Sequence, residues 1–319
     1  MSFWNHLPRP FFVLAPMEAV TDVVFRHVVK KAAAPDVYFT EFTNATGWAA
    51  VGDKATGGRL LKTDDEHPLV AQLWGAKPEA MAALSQHCAE VGFDGLDLNT
   101  GCPDSSATKS GAGSALIKNP ELTAQLIAAM KTSGLPVSVK TRLGYSSVDE
   151  RRDWITFLLE QDIVALTVHL RTKKEMSKVP AHWELMKEIR ELRDQIAPQT
   201  LLIGNGDIMN KAEAAKLMQE SGIDGVMVGR GIFHDPWFFE QNPSVHPLAE
   251  HIALLRYQLD LFEATWADQP RSFDPLKRFF KVYVRNFPEA AHVRDQLMHT
   301  RTIPEARAVL DEAFGPVLS

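Results

Sequence analysis

The chain has 319 residues, of which 45% are hydrophobic and 23% are charged, and its formal net charge is -6. This composition is typical of a globular protein and excludes an intrinsically disordered chain. The acidic balance argues against an obligate nucleic-acid binder, although a local basic patch can still supply phosphate contacts. The sequence shows no secretion signal and no apolar run of roughly 20 residues, so we expect a soluble cytoplasmic protein without a membrane span.

Eight short apolar segments, all before Pro236, are predicted strands. They cover residues 11–15, 37–41, 69–73, 95–99, 136–140, 164–169, 201–205 and 225–228. Helical patterns follow most of them, at residues 21–33, 78–91, 120–133, 149–161, 182–193 and 211–221. Apolar strands that alternate with helices indicate a buried parallel sheet, and eight such units match the size of an α/β (β/α)8 TIM barrel. The alternative is a doubly wound open sheet, which would concentrate its site at one switch point.

After Pro236 only helical patterns remain, at residues 246–266, 274–287, 289–298 and 304–314. Proline-containing breaks separate these segments. We therefore predict two domains, a catalytic TIM barrel over residues 1–242 and a small all-helical domain over residues 243–319.

Each predicted strand ends at, or just before, a polar residue or a glycine. These positions are Pro16-Met17-Glu18, Glu41, Gln72, Asn99, Lys140, His169, Asn205-Gly206-Asp207 and Gly229-Arg230. The active site of a TIM barrel is built at the carboxyl ends of its strands. A ring of polar groups supplied by all eight strands therefore favours the barrel over the open sheet.

The chain contains two cysteines, Cys88 and Cys102, which are too few for a disulfide framework or a zinc site, and we predict no metal site. Cys88 lies in a helical stretch and is predicted to be inert and buried. Cys102 lies between Gly101, which permits a tight turn, and Pro103, which stiffens the exit. A thiol held there suits a nucleophile or an acid, or it simply falls in a turn. No histidine follows closely, which favours the acid role.

Lys140 closes a buried strand, where a lysine is costly unless it is paired or functional. It is interpreted as a Schiff-base lysine, as a positive charge beside a ligand, or as a lysine that extends to the rim. His169 is either a hydrogen-bond donor to a ligand or a core histidine.

Two glycine-rich loops, at residues 204–207 and 229–231, follow the seventh and eighth strands. These loops form the usual phosphate site of a TIM barrel, and Arg230 adds a charged donor. The Gly111-Ala112-Gly113 segment lacks a preceding strand and a third glycine, so it is not a dinucleotide fingerprint. We expect residues 104–113 to form a flexible loop that opens and closes for substrate.

Taken in order, these segments resemble the dihydrouridine synthase family. The matching pieces are Leu14-Ala15-Pro16-Met17, Thr21-Asp22 with Phe25-Arg26, Thr40-Glu41, Ala71-Gln72-Leu73, Asp97-Leu98-Asn99 with Gly101-Cys102-Pro103, Gly111 with Gly113, Lys140 with Arg142, His169 with Arg171-Thr172, residues 204–208 and Gly229-Arg230. They span most of the first 236 residues, and the helical tail is similar to the family's tRNA-binding domain. Glu18, Leu170 and His182 depart from the family pattern.

The resemblance implies a tRNA dihydrouridine synthase with FMN as cofactor and NADPH as reductant. Hydride would pass from flavin N5 to uridine C6, and Cys102 would protonate C5 as the catalytic acid. The implied cofactor-binding residues are Pro16, Met17, Glu18, Gln72, Lys140, His169, Asn205, Gly206, Asp207, Gly229 and Arg230. Asn99 would orient a base that has been flipped out of the RNA.

Basic residues provide candidate RNA contacts. Arg171 and Lys173 lie in the loop after the sixth strand, and Lys277, Lys281 and Arg285 are spaced to share one helical face. They are predicted to contact tRNA phosphates, and a solvated charged face is the alternative. No obligatory protein partner is evident, so we expect a monomer.

Three other functions remain open at this stage. One is an FMN-dependent TIM-barrel reductase of a free small molecule, similar to dihydroorotate dehydrogenase, which would not need a basic tail. Another is a Schiff-base aldolase that uses Lys140 and carries no flavin. The third is a noncatalytic RNA-binding protein, whose tRNA binding would not depend on Cys102.

Overall fold

A computed structural model describes residues 2–269 and 271–315. Residues 1, 270 and 316–319, which belong to the two predicted domains, lie outside this description. Within the described residues, eight strands form one parallel sheet. They are β1 (Phe11–Leu14), β2 (Tyr38–Asn44), β3 (Leu69–Trp74), β4 (Gly95–Asn99), β5 (Val137–Arg142), β6 (Ala165–His169), β7 (Leu201–Asn205) and β8 (Gly225–Val228).

The sheet closes on itself. Its strand order is β1-β8-β7-β6-β5-β4-β3-β2, so β1 and β2 lie at its two ends. Val13 of β1 forms a parallel bridge with Val37, just before β2, and the amide of Leu14 donates to the carbonyl of Val37 at 3.0 Å. The predicted TIM barrel is therefore confirmed, and the doubly wound open sheet is wrong.

The helices alternate with the strands along the first 234 residues and then continue alone. They are α1 (Val23–Ala32), α2 (Ala45–Val51), α3 (Pro78–Val91), α4 (Ser105–Lys109), α5 (Pro120–Lys131), α6 (Arg151–Leu159), α7 (Met186–Ile196), α8 (Lys211–Ser221), α9 (Gly231–His234), α10 (Leu248–Thr265), α11 (Lys277–Tyr283), α12 (Ala290–His299) and α13 (Ile303–Phe314). None of the described helices is long and apolar enough to cross a membrane.

Two short helices, α2 and α4, are absent from the sequence prediction. The side chain of Asn44 accepts a hydrogen bond from the amide of Gly47 at 2.8 Å and caps α2. The side chain of Asp104 accepts from the amide of Ser106 at 2.8 Å and caps α4. The segment expected to be a flexible loop at residues 104–113 therefore begins with a capped helical turn.

The chain divides into two compact units. The first contains residues 2–23 and Pro35–Gly231, and the second contains Val24–Ala34 and the chain from Ile232 onward. The sequence prediction placed the boundary between residues 242 and 243. The second unit includes the early segment Val24–Ala34 because its aromatic side chains contact the C-terminal helices. The ring of Phe25 stacks on that of Phe279 at a centroid distance of 4.9 Å.

Candidate active site

A polar layer crosses the interior of the barrel. Gln72, Asp97 and Ser138 are in register on β3, β4 and β5. The carboxylate of Asp97 accepts hydrogen bonds from Ser138 Oγ at 2.7 Å and from Gln72 Nε2 at 2.8 Å. Burial raises the pKa of Asp97 to about 6. Asn99 lies two residues further along β4, on the same side of the strand, and donates to Gln72 Oε1 at 3.0 Å.

Asn99 also fixes the segment that carries Cys102. Its Oδ1 accepts hydrogen bonds from the amides of Gly101 at 3.1 Å and of Cys102 at 2.8 Å. The carbonyl of Cys102 accepts from the amide of Ser114 at 2.9 Å. Gly113 packs against the same carbonyl at a φ of 57°, and a Cβ there would approach it to 2.8 Å. Both peptide groups of Cys102 are therefore held in place.

Arg142 ties this segment to the loop after β6. Its Nε donates to the carbonyl of Gly101 at 2.7 Å, and its Nη1 donates to the carbonyls of Thr172 and Met176 at 3.1 and 3.0 Å. Burial lowers the pKa of Arg142 to about 10. Sequence reasoning assigned this residue no role of its own. Its spacing could have identified it as a site residue, because Arg142 lies two residues after Lys140 and therefore on the same side of β5.

Cys102 lines a cavity of about 470 Å³, the cysteine cavity. Its walls are formed by Glu18, Phe42, Asn44, Ala55, Thr56, Arg59, Trp74, Cys102, Asp104, Ser106 and Ala107. Burial raises the pKa of the Cys102 thiol. The thiol is therefore protonated at neutral pH, which suits a proton donor better than a thiolate nucleophile.

A second cavity, the lysine cavity, has a volume of about 190 Å³. Its walls are formed by Ala15, Pro16, Met17, Lys140, His169, Asn205, Gly206, Asp207, Ile208, Met209, Met227, Gly229, Arg230 and Gly231. Nine of the eleven residues predicted to bind the cofactor meet here. The other two lie elsewhere, since Glu18 lines the cysteine cavity and Gln72 is buried in the polar layer.

Lys140 is one of the two cations that line the lysine cavity, with Arg230. Its Nζ donates to Asn205 Oδ1 at 3.1 Å, and Asn205 Nδ2 donates to the carbonyl of Met227 at 2.7 Å. Burial, reinforced by the nearby charge of Arg142, lowers the pKa of Lys140 to about 8. The lysine is thus charged at neutral pH, in surroundings that favour a partner with negative charge.

His169 is neutral and has a defined orientation. Burial and the surrounding cations hold its pKa well below the usual value. Arg171 Nη1 lies 3.1 Å from His169 Nε2, and because a guanidinium only donates, Nε2 accepts and Nδ1 carries the proton. Arg171 itself is 2% exposed and also donates to the carbonyl of Val179 at 2.6 Å. This predicted RNA-contact residue therefore lies inside the barrel domain, where it positions His169.

The loop after β7 joins the cations of the lysine cavity. Asp207 accepts hydrogen bonds from Arg171 Nη2, from Arg230 Nη2 at 3.1 Å and from the amide of Ala181 at 2.9 Å. Although burial opposes the shift, these donors hold the pKa of Asp207 below its usual value. Gly206 precedes it at a φ of 126°, where a Cβ would come within 2.9 Å of the Ala181 Cβ. The backbone of this loop therefore faces the cavity directly.

This donor set fits a ligand that carries a phosphate and a polar ring. Arg230 at the rim and Lys140 deeper in the cavity supply positive charge, and Asp207, the carboxylate in its lining, is already paired with two arginines. Across residues 2–269 and 271–315, no group of three or more His, Cys, Asp or Glu side chains has an arrangement that would hold a metal ion.

The other predicted RNA contacts have different surroundings. Lys173 lies over the ring of Tyr145 with its Nζ 4.9 Å from the centroid, and Lys118 lies at 3.8 Å from the same centroid. In the second unit, Lys277 pairs with Asp274 at 3.1 Å.

Arg285 donates to the carbonyls of Phe233 at 3.4 Å and of His234, at the end of α9. Lys281 is exposed. Of the three predicted RNA contacts in the second unit, Lys281 is therefore the one that the structure leaves turned to solvent.

Comparison with known proteins identifies relatives over nearly the whole chain. A model of the dihydrouridine synthase family matches residues 13–316. The chain is 54% identical over 312 residues to a probable tRNA-dihydrouridine synthase of Staphylococcus aureus (strain Mu50), which covers 98% of this chain and 95% of the relative. It is 53% identical over 312 residues to the probable tRNA-dihydrouridine synthase 2 of Bacillus subtilis (strain 168), with 98% and 96% covered.

A solved structure supports the fold alone. Histamine dehydrogenase from Rhizobium sp. 4-9 superposes with a TM-score of 0.51 over 78% of this chain and 48% of that chain, at 11% sequence identity. At this identity the likeness extends to the barrel architecture and to nothing further.

Proposed function

The chain belongs to the dihydrouridine synthase family, and on that premise we propose that it reduces the C5–C6 double bond of uridines in tRNA, with FMN as cofactor and NADPH as reductant. The names of the relatives support tRNA as the substrate. The observation that carries the proposal is a protonated, rigidly held thiol in one cavity and a half-buried lysine with an arginine at the rim of another.

The lysine cavity supplies the groups that a flavin mononucleotide needs. Arg230 and the backbone of the loop that contains Gly206 would hold the phosphate, and Asp207 would orient Arg230. Lys140 would place positive charge beside the flavin ring, and the Nδ1–H of His169 would donate to it. Reduced FMN supplies the hydride that C6 of the uridine accepts.

Cys102 would donate the proton that C5 accepts. The bonds from Asn99 and Ser114 fix its position, which reduces the entropy lost in reaching a reactive geometry. Its raised pKa keeps the proton on sulfur until it is needed. The charge of Arg142, which favours the thiolate, would then stabilise the sulfur once the proton has left.

The test combines the visible absorption of the purified protein with turnover of an unmodified tRNA transcript and NADPH. We expect a flavin spectrum and a product in which a uridine has gained two mass units. In Cys102→Ala, reduction of the bound flavin by NADPH continues while kcat for dihydrouridine formation falls roughly 100- to 10,000-fold, the usual contribution of a general acid.

Three outcomes contradict the proposal. A purified protein that binds no flavin would contradict the assignment as a flavin-dependent reductase. A protein that reduces free orotate or uridine but no tRNA would be a reductase of small molecules. Full activity in Cys102→Ala would remove the thiol from the proton-transfer step.

A further inference from the structure

Two oppositely charged side chains face the cysteine cavity as a planar pair. Arg59 donates to the carboxylate of Glu18 through Nη2 and through Nε at 3.1 Å. Its Nη1 donates to the carbonyl of Thr56 at 2.8 Å, which fixes the plane of the guanidinium. The Arg59 and Glu18 side chains remain 31% and 38% exposed, so both keep polar atoms accessible from the cavity.

The two side chains that hold the cysteine segment, Asn99 and Arg142, are buried and do not line the cavity. The amide group of Asn99 bonds Gln72 and the two backbone amides of the cysteine segment. The guanidinium of Arg142 bonds three backbone carbonyls. Glu18 and Arg59, by contrast, line the cavity and are partly exposed, so this pair can form further hydrogen bonds with a ligand that enters beside the thiol.

The local charge selects against a phosphate at this pair. Glu18 and Asp104 both line the cavity. Behind them lies Glu41, which accepts a hydrogen bond from the amide of Ala19 at 2.6 Å and feels the charges of Asp22 and Glu18 as well as that of Arg59. One arginine among several carboxylates would be a poor phosphate site. A neutral group with both a donor and an acceptor fits better.

We propose that Glu18 and Arg59 together recognise the imide edge of the target uracil, with the carboxylate accepting N3–H and the guanidinium donating to a flanking carbonyl oxygen. This rests on the proposed function, and it names the residues that select the base. Cytosine presents a lone pair at N3, so the contact with the carboxylate would be lost, and at C4 it carries an amino group where uracil has a carbonyl oxygen. A site built to bond a given polar edge rejects a base that lacks it, because its own polar groups are then left unpaired.

The test measures kcat/KM on two tRNA transcripts, which carry either uridine or 3-methyluridine at the position that the wild type reduces. The methyl group removes the N3–H donor. We expect the wild type to prefer uridine by roughly 10- to 100-fold, the range for a hydrogen bond to a charged group. In Glu18→Ala, activity on uridine falls while activity on 3-methyluridine changes little, so the preference collapses. Arg59→Lys, which keeps the charge but loses the planar fork, lowers activity on both substrates.

A matched pair elsewhere in the barrel unit provides the control. Arg151 donates to Glu188 through Nε at 3.2 Å and through Nη2 at 2.5 Å, and neither residue lines the two cavities. Glu188→Ala should keep the preference for uridine. Flavin absorption and flavin reduction by NADPH, measured on each preparation, show whether a variant has folded. If Glu18→Ala does not fold, Glu18→Gln replaces it and should reduce the preference in the same direction.

Two results overturn the inference. If Arg59 binds a phosphate instead, Glu18→Ala removes a competing negative charge, so tRNA binds more tightly and the preference for uridine is unchanged. The inference is also contradicted if Glu18→Ala keeps the preference for uridine over 3-methyluridine and binds tRNA no more tightly than the wild type. Failure of the proposed function is distinct from both, because the wild type would then form no dihydrouridine on the unmethylated transcript.

Discussion

Burial acts in opposite directions on the acidic and the basic groups of this barrel. It keeps the Cys102 thiol and the Asp97 carboxyl protonated to a higher pH, and it lets Lys140 lose its proton at a lower one. All three lie near the carboxyl ends of β4 and β5. The same desolvation therefore prepares a proton donor after β4 and a titratable cation on β5, the neighbouring strand.

Lys140 leads to a prediction about pH. Because its folded pKa is about 8, the ammonium is lost above that pH, and with it the charge that favours an anionic ligand. We expect the affinity for FMN to fall as the pH rises through about 8 and to be lower and nearly independent of pH in Lys140→Met. Fluorescence titration of the flavin-free protein measures both. An equal pH dependence in the two proteins would contradict the assignment.

Glu41 leads to a prediction about stability. It is 4% exposed, and burial together with the charges of Asp22 and Glu18 raises its pKa from 4.5 to about 7. A carboxyl with a raised folded pKa stabilises the fold below its unfolded pKa, and this contribution is lost as the pH rises through 7. Glu41→Gln should therefore raise the free energy of unfolding relative to the wild type by on the order of 3 kcal/mol at about pH 8.5.

Urea denaturation of both proteins at about pH 4.5 and about pH 8.5 measures this difference. At the lower pH we expect it to be small. A difference of the same size at both values would show that the effect comes from packing and not from titration.

The eight strands could be predicted from sequence because both of their faces are buried, so each reads as a short continuous apolar run. Helices α2 and α4 could not. They have seven and five residues, too few for a periodic pattern, and each depends on one capping side chain. The bond between Glu18 and Arg59 joins residues 41 positions apart in an otherwise irregular stretch. No local pattern marks such a pair.

The site itself was predicted in part, through the alternation of side chains along a strand. Residues at the carboxyl ends of strands were identified one at a time, and most of them meet in the lysine cavity. Asp97 and Arg142 were included in the family resemblance but were given no role, although each lies two residues from a predicted site residue and so faces the same side of its strand. The hydrogen bonds that define the role of each side chain are formed with residues of other strands, so a single strand's sequence does not show them.

The segment that holds Cys102 is predicted to be sensitive at Gly113. Its φ of 57° is unfavourable for other residues, and a Cβ would lie 2.8 Å from the Cys102 carbonyl. Gly113→Ala should therefore shift Cys102 and reduce kcat at least 10-fold while flavin binding is retained. The matched control is Gly134→Ala, at a φ of 78° with no atom within 4 Å of the added Cβ, which should leave kcat unchanged. Equal effects of the two would contradict this role.

Across the whole molecule, the second unit is discontinuous in sequence. The point at which strands stop alternating with helices can be read from the pattern of apolar residues, and it placed the predicted boundary after residue 242. That an early helix joins a late group of helices cannot be read in this way, because the aromatic contacts of Phe25 with Phe233 and with Phe279 link segments more than 200 residues apart.

This arrangement predicts that Phe25 supports the helical unit. Phe25→Ala removes a buried ring that stacks on Phe279 and should lower the free energy of unfolding by roughly 3 to 5 kcal/mol. Val245→Ala, at a position 97% exposed in the same unit, should change it by less than about 0.5 kcal/mol. Thermal denaturation of the three proteins measures the difference, and similar midpoints for all three would refute it.

The discontinuity also has a consequence for synthesis on the ribosome. Residues 24–34 leave the exit tunnel early, and their partners from Ile232 onward follow about 200 residues later. At the usual rates of translation this delay lasts roughly 10 to 40 seconds. For that interval the apolar side chains of the first helix, Phe25 among them, have no native surface to cover them, and the nascent chain offers a binding site to chaperones.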